Sequence, residues 1–600
     1  IKLPDGITDL RSELFRECTS LESIIIPDSV VNIGDSVFYN CQKITEFDIP
    51  ETVRTIGNWS FAFCAGLNSV LICDGVESIG EGAFANCSSL ESFAMPDTVT
   101  TLGGALFEFC TSLSDVKISK GAESLPNRYY GRYGSAHNGM FEGCTSLEKI
   151  VIPDNITSLG YECFNGCTSL KDVILSSNLE SVSGAEFYGC TALEEISVPA
   201  SLKGLSDEMF RGCTSLKSIV FEKGSSIERI GSSAFYDCTL LHDIKIPEAV
   251  KTIGKTVFVN CTALETINIP EDIAVLEESV FNGCTALKTV SFSEKSALTT
   301  IYGSAFRNCC SMEEIKLPAG LSDIGESAFS DCSSLAEIII PDAVNNVGKA
   351  VFENCISLKK VVLSDSLTKV PERMFNGCTE LETIKIPDNV NTIEVKAFYG
   401  CTGMKDAVIL NNVVSIGDKS FGYDAEDALV SGFVIKGYYN SIAEDYADSN
   451  EIPFELYGER DYSEICVGYY INGEGVIITD CDPDAEIIEI PDTIEKLPVV
   501  KIQAFAFKNA SMKNIKIPDT VTEIEKGAFT NCTSLESCII PKDVTVIPES
   551  CFEGCISLGS IEYSDDVTAI GKNAFLNCKS RDSVKIQYAL KELGESVLSS

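Results

Sequence analysis

Hydrophobic and polar positions along the chain follow a pattern that returns again and again. One unit, residues 21–41, reads LESIIIPDSVVNIGDSVFYNC. Leu21, Ile24 and Ile26 carry a short strand pattern, and Pro27-Asp28 ends it because proline cannot donate to a ladder. Val30 and Ile33 predict a second short extended segment. Gly34 breaks that segment, and Asp35-Ser36 can cap a brief helical turn bearing Val37, Phe38 and Cys41. A single unit cannot bury Leu21, Ile24, Ile26, Ile33 and Phe38. Stacked units can, because equivalent positions then form continuous internal columns.

Cysteine marks the period. Cys18, Cys41, Cys64, Cys87 and Cys110 are spaced by 23 residues. The same spacing links Cys144, Cys167, Cys190 and Cys213, then Cys238, Cys261 and Cys284, then Cys309, Cys332, Cys355, Cys378 and Cys401, and last Cys532, Cys555 and Cys578. A fixed period in this range predicts a solenoid.

The unit resembles the BspA-like leucine-rich repeats, with L-x-x-I-x-I-P, V-x-x-I-G and A-F-x-x-C kept in phase. It recurs as LEKIVIPDNITSLGYECFNGC, LETINIPEDIAVLEESVFNGC and LAEIIIPDAVNNVGKAVFENC, and covers residues 1–421 and roughly 501–600. The expected fold is a leucine-rich repeat solenoid of the α/β class, strand-rich with short helical turns. The resemblance implies a cell-surface or secreted protein that adheres to extracellular proteins or other cells.

The period fails between Phe421 and Phe505. The intervening sequence predicts a strand at 432–438, a helix at 441–449 and a strand at 452–457, a polar module of the kind a solenoid end needs. ICVGYYINGEGVIITDC then predicts a hairpin turning at Asn472-Gly473-Glu474-Gly475. Two stacked-repeat arrays separated by a capping module follow. Residues 1–421 form the first array and 422–458 its C-terminal cap. Residues 459–500 hold a hairpin cap and the first repeat of array two, and 501–600 complete that array. With a four-residue turn, Ile471 faces Val476 and Cys466 faces Cys481, within reach of a cross-strand disulfide. A two-residue turn would offset that pair.

Composition narrows the function. The 600 residues are 44% hydrophobic, which excludes disorder despite a net charge of −42. So acidic a chain repels phosphate backbones, so no nucleic-acid partner is expected. No apolar run approaches the roughly 18 residues of a membrane span. The chain opens in mid-repeat and ends inside another, so it reads as an excised piece from which a signal or anchor could have been trimmed. A monomer is expected.

No chemistry stands out. There are 2 His and 1 Trp, His137 and His242 lie in different repeats, and no G-x-S-x-G, H-E-x-x-H or phosphate-binding Gly loop occurs. No cofactor and no catalytic residue is implied. Asp480, Asp482 and Asp484 alternate like a calcium loop, but Ala485 takes the glycine position and Pro491 the twelfth, so a solvated turn is the better reading. The 27 cysteines admit disulfides, metal sites or a column of buried thiols. Zinc would need clustered spacings such as C-x₂-C, which are missing. Ala510 stands in the anchor slot, Cys163 and Cys551 stand where Ala83 and Ala234 do, and Cys538 replaces a strand Ile. Such exchanges favour small apolar volume over a bond. Asn86-Cys87-Ser88, Asn260-Cys261-Thr262 and Asn531-Cys532-Thr533 have the form of glycosylation signals, but the repeat itself imposes them and they read as turn positions.

Two surfaces remain as binding candidates. In L-x-x-I-x-I-P the residue between the two Ile points outward. That slot holds Ile25, Leu71, Val151, Ile174, Val220 and Ile339 together with Lys117, Lys245, Lys316 and Lys385, and only one acid, Asp48. Lysine stems over aliphatic groups make a broad, shallow binding sheet. The competing reading is that β-branched residues suit strands and that Glu313 and Glu314 balance the lysines. The second surface is an insert. Pro126 matches Pro371, yet Phe141 follows it by 15 residues where Phe375 follows by 4. The extra stretch brings Arg128, Tyr129, Tyr130, Arg132, Tyr133 and His137, types enriched at recognition hot spots. A self-packed loop covering an edge is the alternative. The chain is therefore expected to be a non-enzymatic, adhesin-like binder of an extracellular protein or glycan. The alternatives are a spacer presenting another domain and, remotely, a glycoside hydrolase-type enzyme with paired acids.

Overall fold

The computed structural model describes residues 1–127, 139–410, 412–438, 441–457, 466–471, 475–578 and 590–597. It divides into two compact units, Ile1–Leu358 and Lys359–Ser600. Each is a strand-rich stack of repeats, and Ile442–Ser449 is the one α-helix among the described residues.

In the first unit most repeats give two short strands, each paired in parallel with its counterpart in a neighbouring repeat. Lys149–Val151 lies beside Asp172–Ile174 with Val151 opposite Ile174, and Thr55–Ile56 lies beside Ser78–Ile79. Register advances by whole repeats, so inward residues meet inward residues. Burial along Lys149–Val151 runs exposed, buried, exposed, the period of a sheet with one face on the core. Behind the strands, Phe141, Phe164, Phe187, Phe210, Phe235, Phe258 and Phe281 are fully buried. Their rings stack nearly parallel, with centroids 5.3–5.6 Å apart.

At many corners the glycine of I-G leaves no room for a side chain. A Cβ on Gly57 would stand 2.5 Å from the carbonyl carbon of Gly34, and one on Gly254 would stand 2.6 Å from the Ser232 nitrogen. Neighbouring backbones touch at this corner.

The segment expected to be a brief helical turn is a run of turns instead. Ser36 and Asn40 have φ of +54° and +58°. The N–H groups of Ser36, Phe38 and Asn40 donate to Asn58, Ser60 and Ala62 of the next repeat at 2.8, 2.7 and 2.8 Å. Left-handed residues turn every second N–H along the stack, so the helical ladder cannot form. In most repeats residues that tolerate this backbone fill the slot before the anchor cysteine: Asn86, Asn260 and Asn531 have φ of 60°, 59° and 59°, and Gly166 and Gly189 also occupy it, although Phe63 and Phe109 adopt it too. The apparent glycosylation signals are these turn positions.

The anchor cysteines tie repeats together. The Cys64 thiol donates to the Phe38 carbonyl and Cys87 to Phe61, both at 3.1 Å. Cys163, Cys538 and Cys551 are also buried thiols, in slots of small or aliphatic volume.

In the second unit the repeats run into a strand, Val434–Gly437, the helix, and a strand, Phe454–Leu456. Ser441 caps the helix by accepting from the Glu444 N–H at 3.4 Å. Phe398 stacks on Phe421 at 4.7 Å, and Phe421 meets Phe433 at 6.5 Å and, edge-on, Tyr446 of the helix at 6.4 Å. The Tyr446 hydroxyl accepts from the Phe421 N–H at 3.0 Å. A hairpin, Val467–Ile471 with Val476–Cys481, precedes the remaining repeats, in which Phe507, Phe529, Phe552 and Phe575 stack 5.1–5.6 Å apart.

The hairpin register corrects the expected cysteine pairing. Ile471 does face Val476, but a bulge follows, and Gly468 opposes Asp480 while Tyr469 opposes Ile478. The extra residue, Thr479, moves Cys481 opposite Val467 rather than Cys466. Both cysteines are thiols and form no disulfide.

Candidate binding surfaces

The strand face of the first unit is built by the parallel register. Val151 stands beside Ile174, and Ser197 beside Val220. Inward neighbours such as Ile150 and Ile196 are buried, so these outward residues are held on a rigid sheet. Ile174 and Val220 are 53% and 55% exposed. Between them an open depression of about 420 Å³ is lined by Lys149, Lys171, Asp172, Ile174, Glu195 and Val220.

Lys245 and Lys316 lie exposed on the same face, and neither forms an ion pair among the described residues. Asn268 and Ser291 occupy the slots between them, so at roughly 4.8 Å per strand they stand about 14 Å apart and act as separate charges. Lys385 takes the equivalent exposed slot in the second unit. Lys117 differs, pairing with Asp97 at 3.4 Å. Arg128, Tyr129, Tyr130, Arg132, Tyr133 and His137 lie outside the described residues. His242 is exposed.

Sequence reasoning missed a charge ladder along the start of these strands. Lys171 pairs with Glu148 at 4.0 Å, Lys217 with Glu194 at 2.6 Å, and Lys288 with Glu265 at 3.0 Å. The hydrogen bond from Lys217 holds the Glu194 carboxyl below its ordinary range. The signal was present: the residue after the repeat leucine alternates Glu148, Lys171, Glu194, Lys217. Each exposed pair contributes about 0–1 kcal/mol, so the ladder fixes which charges stay free more than it stabilises the stack.

A second missed feature is a patch of carboxyls on successive turn segments. Burial pushes Glu142 up to about 7, reinforced by Glu162 and Glu108. Burial also raises Glu162, with Glu208 adding to it. Glu186 is buried and raised too, although the Ser206 hydroxyl and the Gly184 N–H donate to it. Among the described residues no three His, Cys, Asp or Glu are placed to hold a metal ion. Asp482 accepts from the Asp484 N–H at 3.0 Å, the arrangement of a turn. No helix among the described residues is long and apolar enough to cross a membrane.

The model of the BspA type leucine rich repeat region matches residues 1–132, 135–226, 221–309, 299–426 and 484–600. Among solved structures, a leucine-rich repeat protein from Bacteroides ovatus is 27% identical with a TM-score of 0.49, over 64% of this chain and 92% of that one. A leucine rich cell surface protein from Faecalibacterium prausnitzii is 27% identical with a TM-score of 0.35, over 62% and 85%. The pneumococcal vaccine antigen PcpA is 20% identical with a TM-score of 0.33, over 70% and 89%. No curated protein matches the chain.

Proposed function

Because the chain belongs to the BspA-type leucine-rich repeat proteins, we propose that it is a non-enzymatic binding protein acting at the cell surface or outside the cell. It recognises an extracellular protein or glycan through its strand face, as an adhesin does. One observation carries the reading: the outward slots expose Val151, Ile174, Val220 and Ile339 along with Lys245 and Lys316, which form no ion pair among the described residues, on a chain of net charge −42. Exposed aliphatic groups recurring along one sheet face are a binding feature more than a folding one. Two arrays, 1–421 and 501–600, with the cap at 422–458 and the hairpin module at 459–500, would present that face.

The test is binding of the purified protein to extracellular-matrix proteins and mucins at physiological salt. One variant has the insert after Pro126 cut back to ordinary repeat length, and another carries Lys245→Glu, Lys316→Glu and Lys385→Glu. Saturable binding lost in the lysine variant is expected. Saturable binding lost only in the insert variant moves the site to Arg128–His137 chemistry. No saturable ligand at micromolar concentration leaves the spacer reading in its place.

A further inference from the structure

The corner slot of the first unit holds glycine in most repeats and serine at Ser183 and Ser206, but two consecutive repeats fill it with long side chains. Glu277 and Tyr302 stand where neighbouring repeats have Gly254 and Gly325. Around them the rule is strict: a Cβ on Gly325 would stand 2.5 Å from the Gly303 nitrogen, and one on Gly348 2.4 Å from the Glu326 nitrogen. An open groove of about 890 Å³ lies at that place. Its volume falls within the roughly 300–1,000 Å³ of small-molecule sites.

The groove is furnished with one aromatic ring and charges of both signs. Tyr302 is 47% exposed, and its hydroxyl has no partner among the described residues. The Glu277 carboxyl likewise has none. The other charges are held in place: Lys255 pairs with Glu278 at 3.4 Å, Lys349 with Glu326 at 3.3 Å, and Arg307 with Asp331 at 3.4 Å.

That lining selects a ligand class. An anion meets Glu277, Glu278 and Glu326. A cation meets Lys255 and Arg307. A purely apolar body desolvates the three ion pairs and leaves the Glu277 carboxylate buried without a partner. A neutral, hydroxyl-rich ligand satisfies both signs, because each hydroxyl donates to a carboxylate and accepts from an ammonium or guanidinium. The C–H face of a sugar ring supplies the apolar surface that an exposed tyrosine ring can cover. We propose that this groove is a saccharide site that takes a neutral glycan, one ring stacked on Tyr302 and its hydroxyls shared between Glu277 and the flanking charges. The site is independent of the strand face.

The test is calorimetric titration of the full chain with neutral hexasaccharides of glucose, mannose, galactose and N-acetylglucosamine at millimolar concentration, with hexagalacturonate and hexalysine as charged probes. Tyr302→Gly restores the residue of neighbouring corners, so the variant should melt like the parent. Binding of at least one neutral sugar is expected, weakened about tenfold or more by Tyr302→Gly and measurably by Glu277→Gln. It should be unchanged in the Lys245→Glu, Lys316→Glu double variant. No binding of any neutral sugar overturns the proposal, as does binding that survives Tyr302→Gly. A groove-dependent preference for hexalysine or hexagalacturonate also overturns it. Sugar binding lost in the lysine double variant places the ligand on the strand face, against this proposal and in favour of the binding reading made for that face.

Discussion

A carboxyl confined among others resists ionising, and Glu142 shows what that does to a repeat. Burial, Glu162 and Glu108 raise it to about 7, well above the ordinary value of a glutamate. An acid whose folded pKa lies above its unfolded one favours the fold while protonated. The stabilisation is complete below about 4.5 and is lost as pH rises through about 7. The repeats around Glu142 should therefore loosen across that window. Glu142→Gln keeps the neutral form at every pH, so the variant should flatten the pH dependence. At pH 8 it should gain on the order of 1–2 kcal/mol, allowing for partial exposure. Urea unfolding between pH 4 and 8 checks this, and parallel curves for both proteins would contradict it.

At the scale of the element, the helix of the second unit is short, and its eight residues have little intrinsic stability. It depends on the Ser441 cap and on Tyr446 against Phe421. Ser441→Ala should cost about 1 kcal/mol, seen first as faster hydrogen exchange in 442–449. This module was legible in the sequence because the repeat period fails there and each of its three short elements carries its own local pattern. The strands were legible for the same reason: Ile150 and Ile152 alternate with Lys149 and Val151 whatever the neighbour does. The turn segments were not. A stretch such as Ser36–Asn40 follows the cap-like Asp35-Ser36, and bonds to the next repeat hold Ser36 and Asn40 left-handed instead. The asparagine or glycine before most anchor cysteines was the available clue. The hairpin pairing failed on one bulged residue, Thr479, which no local pattern announces. Of the binding surfaces, the outward slots followed from alternation. The Lys–Glu ladder and the Tyr302 groove required knowing which residues a repeat apart come to touch.

At the scale of the molecule, stability is distributed along each stack. Phe329 is fully buried between Phe306 at 5.2 Å and Phe352 at 5.5 Å. Phe329→Ala should remove about 3–5 kcal/mol of packing. Because a repeat is coupled chiefly to its neighbours, protection should fall first in the repeats flanking Phe329. Hydrogen exchange showing equal loss over the whole chain would contradict that. The anchor cysteines turn the same architecture into an instrument. Burial lifts the thiols of Cys64, Cys110 and Cys213 to about 12, so almost no thiolate exists in the closed stack. An alkylating reagent can reach such a thiol only while its own repeat is open. Each repeat whose anchor is buried thus holds its own chemical clock, with exposed Cys18 as the unprotected reference, and the order in which the cysteines are alkylated will rank the repeats by how often they breathe.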